Sequence, residues 1–192
     1  MESLTAIAAQ PRSSADAETL PACRLCGAPL RHTFVDLGMS PLCESFRTAK
    51  QLNEVESFYP LHVWVCEACL LVQLQEYVAP DAIFNEYAYF SSVSRSWLQH
   101  ARMYAERMID QLGLHGGSRV VELGSNDGYL LRYFVERGVP ALGIEPAGNV
   151  AAAARELGVP TLEAFFGVQV ASRQAGAGQR ADLLVANNVL AQ

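Results

Sequence analysis

Val120-Val121-Glu122-Leu123-Gly124-Ser125-Asn126-Asp127-Gly128-Tyr129-Leu130-Leu131 reads as a buried strand ending in an acid, a glycine-bracketed turn, and the start of an apolar-faced helix. That is the layout of a nucleotide-binding strand–turn–helix unit. A dinucleotide site spaces its glycines as G-x-G-x-x-G, so that backbone and helix N-terminus can approach a pyrophosphate. The three glycine places here hold Gly124, Asn126 and Tyr129, and that pattern fails. Glu122 and Asp127 flank the turn and would repel a pyrophosphate. They suit a ligand carrying an ammonium and a sulfonium, each stabilised by nearby negative charge. The turn therefore points to S-adenosylmethionine rather than to NAD.

Downstream, strand and helix patterns alternate. The spacing predicts a strand over 119–123 and a helix over 129–137, with Leu130, Leu131, Phe134 and Val135 inward and Gly138 closing it. A second strand over 141–145 leads to a helix over 149–157 stopped by Gly158, then a short strand at 161–162. A helical segment over 165–174 and a strand over 181–186 complete the series. Such alternation implies a parallel sheet with helices on its faces. Glu145 ends the second strand, where an acid accepts hydrogen bonds from ribose hydroxyls. An open nucleotide-binding sheet usually has about five strands or more. The expectation is therefore an α/β chain whose Rossmann-like sheet, over 116–192, is incomplete and stops after about strand four.

Upstream, Cys23-Arg24-Leu25-Cys26-Gly27 is answered by Cys66-Glu67-Ala68-Cys69. Two cysteines separated by two residues can turn both thiolates toward one metal, and two such knuckles make a closed four-thiolate site that suits structural zinc. Gly27 relaxes the first knuckle by tolerating positive φ, while Leu70 occupies the matching place in the second. Cys43 is read as a small buried hydrophobe, and His32 and His62 as non-ligands. Alternation predicts strands over 32–37 and 61–65, in a small β-rich zinc-binding domain over 22–80. Residues 1–21 read as a mobile tail.

Between these parts lies Phe84-Asn85-Glu86-Tyr87-Ala88-Tyr89-Phe90-Ser91-Ser92, too polar for a core strand and too aromatic for a linker. It reads either as a lid or as a substrate-contacting loop. A helix follows, with Trp97, Leu98, Ala101, Tyr104, Ala105, Met108, Ile109 and Leu112 in one stripe, Ser94 as N-cap and Gly113 as stop. His100 falls off the stripe. This connecting region spans 81–115.

Composition narrows the classes. A net charge of −6 offers no basic footprint for nucleic acid. No apolar run approaches the ~18 residues of a membrane helix, and no secretory signal is visible. Paired C-x-x-C knuckles imply a reducing compartment, so the expected location is cytoplasmic.

Taken together, the chain resembles the S-adenosylmethionine-dependent C-methyltransferases that act on nucleotide-linked deoxy-keto-sugars in deoxysugar biosynthesis. The likeness rests on the paired knuckles, the stretch from Glu86 to Ser92 with His100 downstream, Val121 to Gly128, Gly143-Ile144-Glu145-Pro146-Ala147, and Asn187-Asn188-Val189-Leu190-Ala191. It implies that Cys23, Cys26, Cys66 and Cys69 hold zinc and that Glu122, Gly124, Asn126, Asp127, Gly128, Glu145 and Asn187 line the cofactor. It places Tyr87 or Tyr89 at the substrate end as catalytic candidates, with Ser91, Ser92 and His100 as substrate-binding candidates. The implied reaction removes a proton beside the keto group and carries the enolate carbon onto the sulfonium methyl. Members usually have a histidine directly after the Asn-Asn-Val-Leu-Ala stretch, where this chain has Gln192. The alternative expectation is a truncated, inactive, zinc-stabilised binding module.

Overall fold

The computed structural model describes residues 20–84 and 87–189. Most of the tail read over 1–21, together with Glu86 and Leu190 to Gln192, lies outside them. The chain packs as two compact units: residues up to Pro41 with Glu56–Tyr77, and Leu42–Val55 with the residues from Val78 onward.

The first unit is an antiparallel sheet in the order β1-β2-β3, built from β1 (His32–Ser40), β2 (Tyr59–Val65) and β3 (Val72–Leu74). Its β1–β2 register shifts between Asp36 and Met39, around Gly38 at φ +80°. β3 escaped the sequence reading because three residues are too few to show alternation. The apolar core is small. Leu30, Cys23 and Cys66 are buried among Ala28, Trp64, Cys69 and Leu71, while Phe34, Leu37 and Met39 of β1 remain exposed. A sheet with so little buried surface needs a further staple, which four clustered thiolates can supply through a metal.

Beyond the Leu42–Val55 stretch, the second unit continues with the single-turn α1 (Asp81–Phe84) and the long α2 (Arg95–Leu112). The Ser94 hydroxyl accepts from Trp97 N–H and Gly113 takes φ +61° at the far end, so both predicted helix boundaries hold. Then come β4 (Val120–Leu123), α3 (Leu131–Glu136), β5 (Ala141–Glu145), α4 (Gly148–Glu156), β6 (Thr161–Glu163), α5 (Val168–Gly176) and β7 (Leu183–Val185). The strands form a parallel sheet in the order β6-β5-β4-β7. The fold is therefore α/β, a Rossmann-like sheet in company with a β-rich zinc-binding unit. Successive strand residues face opposite sides. Val120 joins Leu130, Leu131, Phe134, Val139, Ala101 and Ala105 on one face. Val121 joins Leu123, Ile144 and Val170 on the other.

Two details depart from expectation. Val135 was read as inward, yet it is 36% exposed. The buried arc of α3 runs through Leu131, Tyr133 and Phe134, and at 100° per residue Val135 falls beyond its edge. Tyr133 takes that place, its ring lying under the guanidinium groups of Arg102 and Arg132. Leu112, at the end of the α2 stripe, is also exposed because it belongs to the last turn.

The sheet order matters for the site. The chain moves outward from β4 to β5 and β6, then returns to place β7 on the other side of β4. The carboxyl ends of β4 and β7 thus flank a topological switch point, the place where open α/β sheets bind ligands.

Candidate functional site

In the first unit the Sγ atoms of Cys23, Cys26, Cys66 and Cys69 all lie within 4.8 Å of one another. The Cys23–Cys69 and Cys26–Cys66 pairs are 3.6 Å apart. Zn–S bonds of about 2.3 Å in a tetrahedron put sulfurs about 3.8 Å apart, so the cluster is the size of a zinc site. Disulfide sulfurs would be about 2.05 Å apart.

Both knuckles fold alike. Gly27 N–H donates to Cys23 O (2.9 Å) and Cys23 N–H to Ala28 O (2.8 Å). Leu70 N–H donates to Cys66 O (2.8 Å) and Cys66 N–H to Leu71 O (3.0 Å). Gly27 sits at φ +74° and Leu70 at φ +63°. The leucine is thus held in a left-handed conformation that costs an L-residue roughly 1–2 kcal/mol.

Buried Gln73 on β3 braces the cluster, donating to Cys23 Sγ (3.1 Å) and accepting from Arg24 N–H (3.0 Å). The Cys26 backbone amide, with Gln73, draws the Cys23 thiol down to about 6, toward the thiolate that binds metal. His32 pairs with Glu67, while His62 bonds Thr33 and stacks on Trp64, so neither imidazole joins the cluster. Cys43 also stays outside it, but it is exposed rather than buried as the sequence suggested. Its stretch, Leu42–Val55, is a loop gathered by the Arg47 guanidinium onto the carbonyls of Gln51, Glu54 and Val55.

In the second unit a cavity of about 690 Å³ opens at the carboxyl ends of β4, β5 and β7. Gly124, Asn126, Glu145 and Asn187 line it. Gly124 must be glycine twice over: its φ is +61°, and a Cβ there would stand 2.6 Å from Val189 Cγ2. Gly143 lets the turn approach β5, since its Cβ would stand 2.3 Å from Ser125 Oγ.

Glu145 is 6% exposed, and its two oxygens accept from Asn126 N–H and Ala147 N–H, each at 2.9 Å. Burial raises its pKa and these two amides oppose the rise. One carboxylate thus ties the β4 turn to the β5 turn, and each oxygen keeps further capacity to accept a hydrogen bond.

Residues 23–84 match a protein family described as "Putative zinc binding domain". The chain is also 35% identical over 148 residues to C-methyltransferase NovU of Streptomyces niveus, covering 77% of this chain and 35% of that protein. The chain is thus similar, over about three quarters of its length, to a C-methyltransferase, and it carries a stretch that matches this zinc-binding domain. It spans about a third of the length of the relative that it matches. Solved structures add only slight likeness. A SAM-dependent methyltransferase from Geobacter sulfurreducens has a TM-score of 0.29 at 24% identity, over 41% of this chain and 32% of its own. One from Thiobacillus denitrificans has 0.27 at 24%, over 32% and 29%.

Around the cavity, the candidate residues divide by position. Asn187 faces the Tyr129 hydroxyl, to which its amide donates at 2.9 Å. Glu122, Asp127 and Gly128 are buried and are not among the residues that line the cavity. Both Glu122 oxygens lack a hydrogen-bond partner among the described residues. Burial lifts Glu122 to about 8; Tyr129 and Asn187 nearby oppose this, and Glu145 and Asp127 add to it. Asp127 instead looks toward the aromatic segment. Its Oδ2 accepts from both Ser92 N–H (3.1 Å) and the Ser92 hydroxyl.

On the opposite wall, Tyr87 and Tyr89 meet edge to face at 6.3 Å and both line the cavity, as does Ser91. Burial, then Glu44 and Cys43, raise the Tyr87 phenol above its ordinary value. Ser92 is occupied by Asp127, and His100 is exposed and stacked on Trp97 (5.2 Å) rather than lining the cavity.

Four lining residues were read otherwise from sequence: Trp97 and Tyr129 as helix positions, and Phe165 and Phe166 as the start of α5. The aromatic pair just beyond β6 was the available signal. Asn149 also went unremarked, read as an ordinary helix-start asparagine.

Proposed function

We propose that the second unit binds S-adenosylmethionine in the 690 Å³ cavity and serves C-methylation of a nucleotide-linked keto-deoxysugar. The observation that carries this reading is Glu145. It lines a switch-point cavity while two backbone amides anchor it and leave a lone pair on each oxygen.

The residues present fit that cofactor. Glu145 would accept its ribose hydroxyls, while Leu123, Ile144, Phe165 and Phe166 offer apolar faces to its adenine. Buried Glu122 holds its proton up to about 8, so at neutral pH it offers the cationic end a neutral carboxyl rather than a charge. The bound cofactor supplies an electrophilic methyl group on sulfur.

What the chain does across the cavity follows from Tyr87. A phenol held above its ordinary pKa remains protonated at neutral pH, so it suits donation to the oxygen of a forming enolate rather than proton removal. Tyr89, half exposed beside it, lengthens the same polar wall. In the other unit the zinc has no open coordination position once four thiolates bind, so its part is structural.

The protein is to be incubated with S-adenosylmethionine and a nucleotide-linked keto-deoxysugar, and the sugar examined by mass spectrometry. The expected result is one added methyl on carbon, with a rate loss of about 10²-fold in Tyr87→Phe. Cofactor binding without any transfer to such sugars would overturn the assigned activity. A Tyr87→Phe rate equal to wild type would remove that residue's role.

A further inference from the structure

The aromatic segment is held from outside, and by unusual means. Tyr87 N–H donates to Asn149 Oδ1 (3.0 Å), and Asn149 Nδ2 donates back to Tyr87 O (2.7 Å). A side-chain amide thus pairs both backbone groups of one residue, as a neighbouring strand would. Two residues further on, Asn126 Nδ2 donates to Tyr89 O (3.0 Å) while its Oδ1 accepts from Ser91 N–H (2.9 Å). Asp127 then receives Ser92.

These three side chains stand on the two turns that Glu145 ties together. Asn126 and Asp127 follow β4, and Asn149 sits in the first turn of α4, four residues after Glu145. Asn126 itself takes φ +50°, a left-handed conformation that asparagine tolerates better than other non-glycine residues. Its backbone N–H holds Glu145 while its side chain holds the segment.

We infer that Asn126 and Asn149 are positioning residues that latch the segment from Tyr87 to Ser92 onto the two turns, so that filling the cofactor side of the cavity stiffens the wall that meets the acceptor. The inference rests on the cofactor reading above. Its physical content is a short path: ligand to Glu145, Glu145 to Asn126 N–H, Asn126 side chain to Tyr89 and Ser91. The Asn149 arm runs in parallel through the α4 turn. A ligand that holds Glu145 in place limits the motion of both turns, and the segment's hydrogen bonds open less often. Cofactor binding would then prepare the acceptor side without any direct contact between ligand and aromatic segment.

Hydrogen–deuterium exchange resolved to the amides of Tyr87, Ser91 and Ser92 tests this, with S-adenosylhomocysteine as the probe and calorimetry to establish binding. In wild type, saturation with the probe is expected to slow all three amides by about tenfold or more. Asn149→Ala should speed Tyr87 exchange by a similar factor without the probe, and leave probe affinity within about threefold. The thermal midpoint should barely move, since Asn149 is exposed.

Asn149→Asp keeps the acceptor and loses the donor, so it should fall between Ala and wild type. Asn126→Asp keeps the left-handed preference, turns the donor facing Tyr89 O into an acceptor and adds a charge beside Asp127. It should weaken the probe's effect on Ser91. If the probe does not bind, the cofactor reading fails. If it binds and the three amides exchange at unchanged rates, the latch fails while the cofactor reading stands. Tyr87 exchange in Asn149→Ala equal to wild type would likewise overturn the latch.

Discussion

Replacing Cys66 with serine is expected to release the metal and unfold the three-stranded sheet. Cys66 is fully buried, its backbone closes the second knuckle, and its sulfur stands 3.6 Å from that of Cys26. Structural zinc contributes about 10–16 kcal/mol of binding free energy in small zinc-folded peptides, and that energy is folding energy. The rest of the first unit offers little to replace it, since Leu30 is its one fully buried large aliphatic side chain among the described residues. Elemental analysis should find one zinc per chain in the wild type and none in Cys66→Ser. A chelator should give the same loss in the wild type. The helical circular-dichroism signal should largely persist, because the five α-helices among the described residues lie in the second unit, which has its own core. A metal-free preparation with unchanged near-ultraviolet signal from Trp64 would show the cluster to be no more than four neighbouring thiols.

The second large effect concerns pH. Glu122 is fully buried, with no well-formed hydrogen bond to its oxygens among the described residues, and desolvation raises it from 4.5 to about 8. Between those values the folded chain holds a proton that the unfolded chain releases. The stability tied to that proton is complete below about 4.5 and is lost as pH rises through about 8. At about 1.36 kcal/mol per unit, the loss by pH 9 amounts to several kcal/mol. Glu145 and Asp127 work in the same direction, and the Tyr129 hydroxyl and Asn187 amide against it. Urea unfolding between pH 5 and pH 9 should show wild-type stability falling steadily up to about pH 8 and levelling off above it. Glu122→Gln cannot ionise, so its profile should be flatter and its stability at pH 9 a few kcal/mol greater. Identical slopes for the two proteins would mean that the acid is solvated or paired.

The sequence carried the sheet because periodicity reports burial. The residues from Val120 to Leu123 and from Ala141 to Glu145 are strands since nearly every side chain is covered. The knuckles were legible because chemistry fixes their spacing. What escaped notice depends on contacts between distant residues. Val72–Leu74 is too short for any pattern, yet it places Gln73 against Cys23. Asn149 looks like a helix-start asparagine until Tyr87, 62 residues away, lies beside it. Asp127 reads as a cofactor acid by its place in the turn, while the fold turns its carboxylate to Ser92. Glu122 was legible as an acid at a strand end, but neither its full burial nor its lack of a well-formed hydrogen bond among the described residues could be read from its neighbours in the chain. The opening glycine turn was thus read correctly as a turn. Its acids divide, one buried away from the cavity lining and one holding the wall.

The most direct test of the cofactor assignment is a pair of calorimetric titrations of the purified protein, one with S-adenosylhomocysteine and one with NADH. Saturable heat at one site per chain is expected from S-adenosylhomocysteine and none from NADH. Glu145→Ala should weaken the former by at least about tenfold, through the loss of hydrogen bonds to a charged group. Saturable heat from NADH with none from S-adenosylhomocysteine would contradict the assignment of this turn.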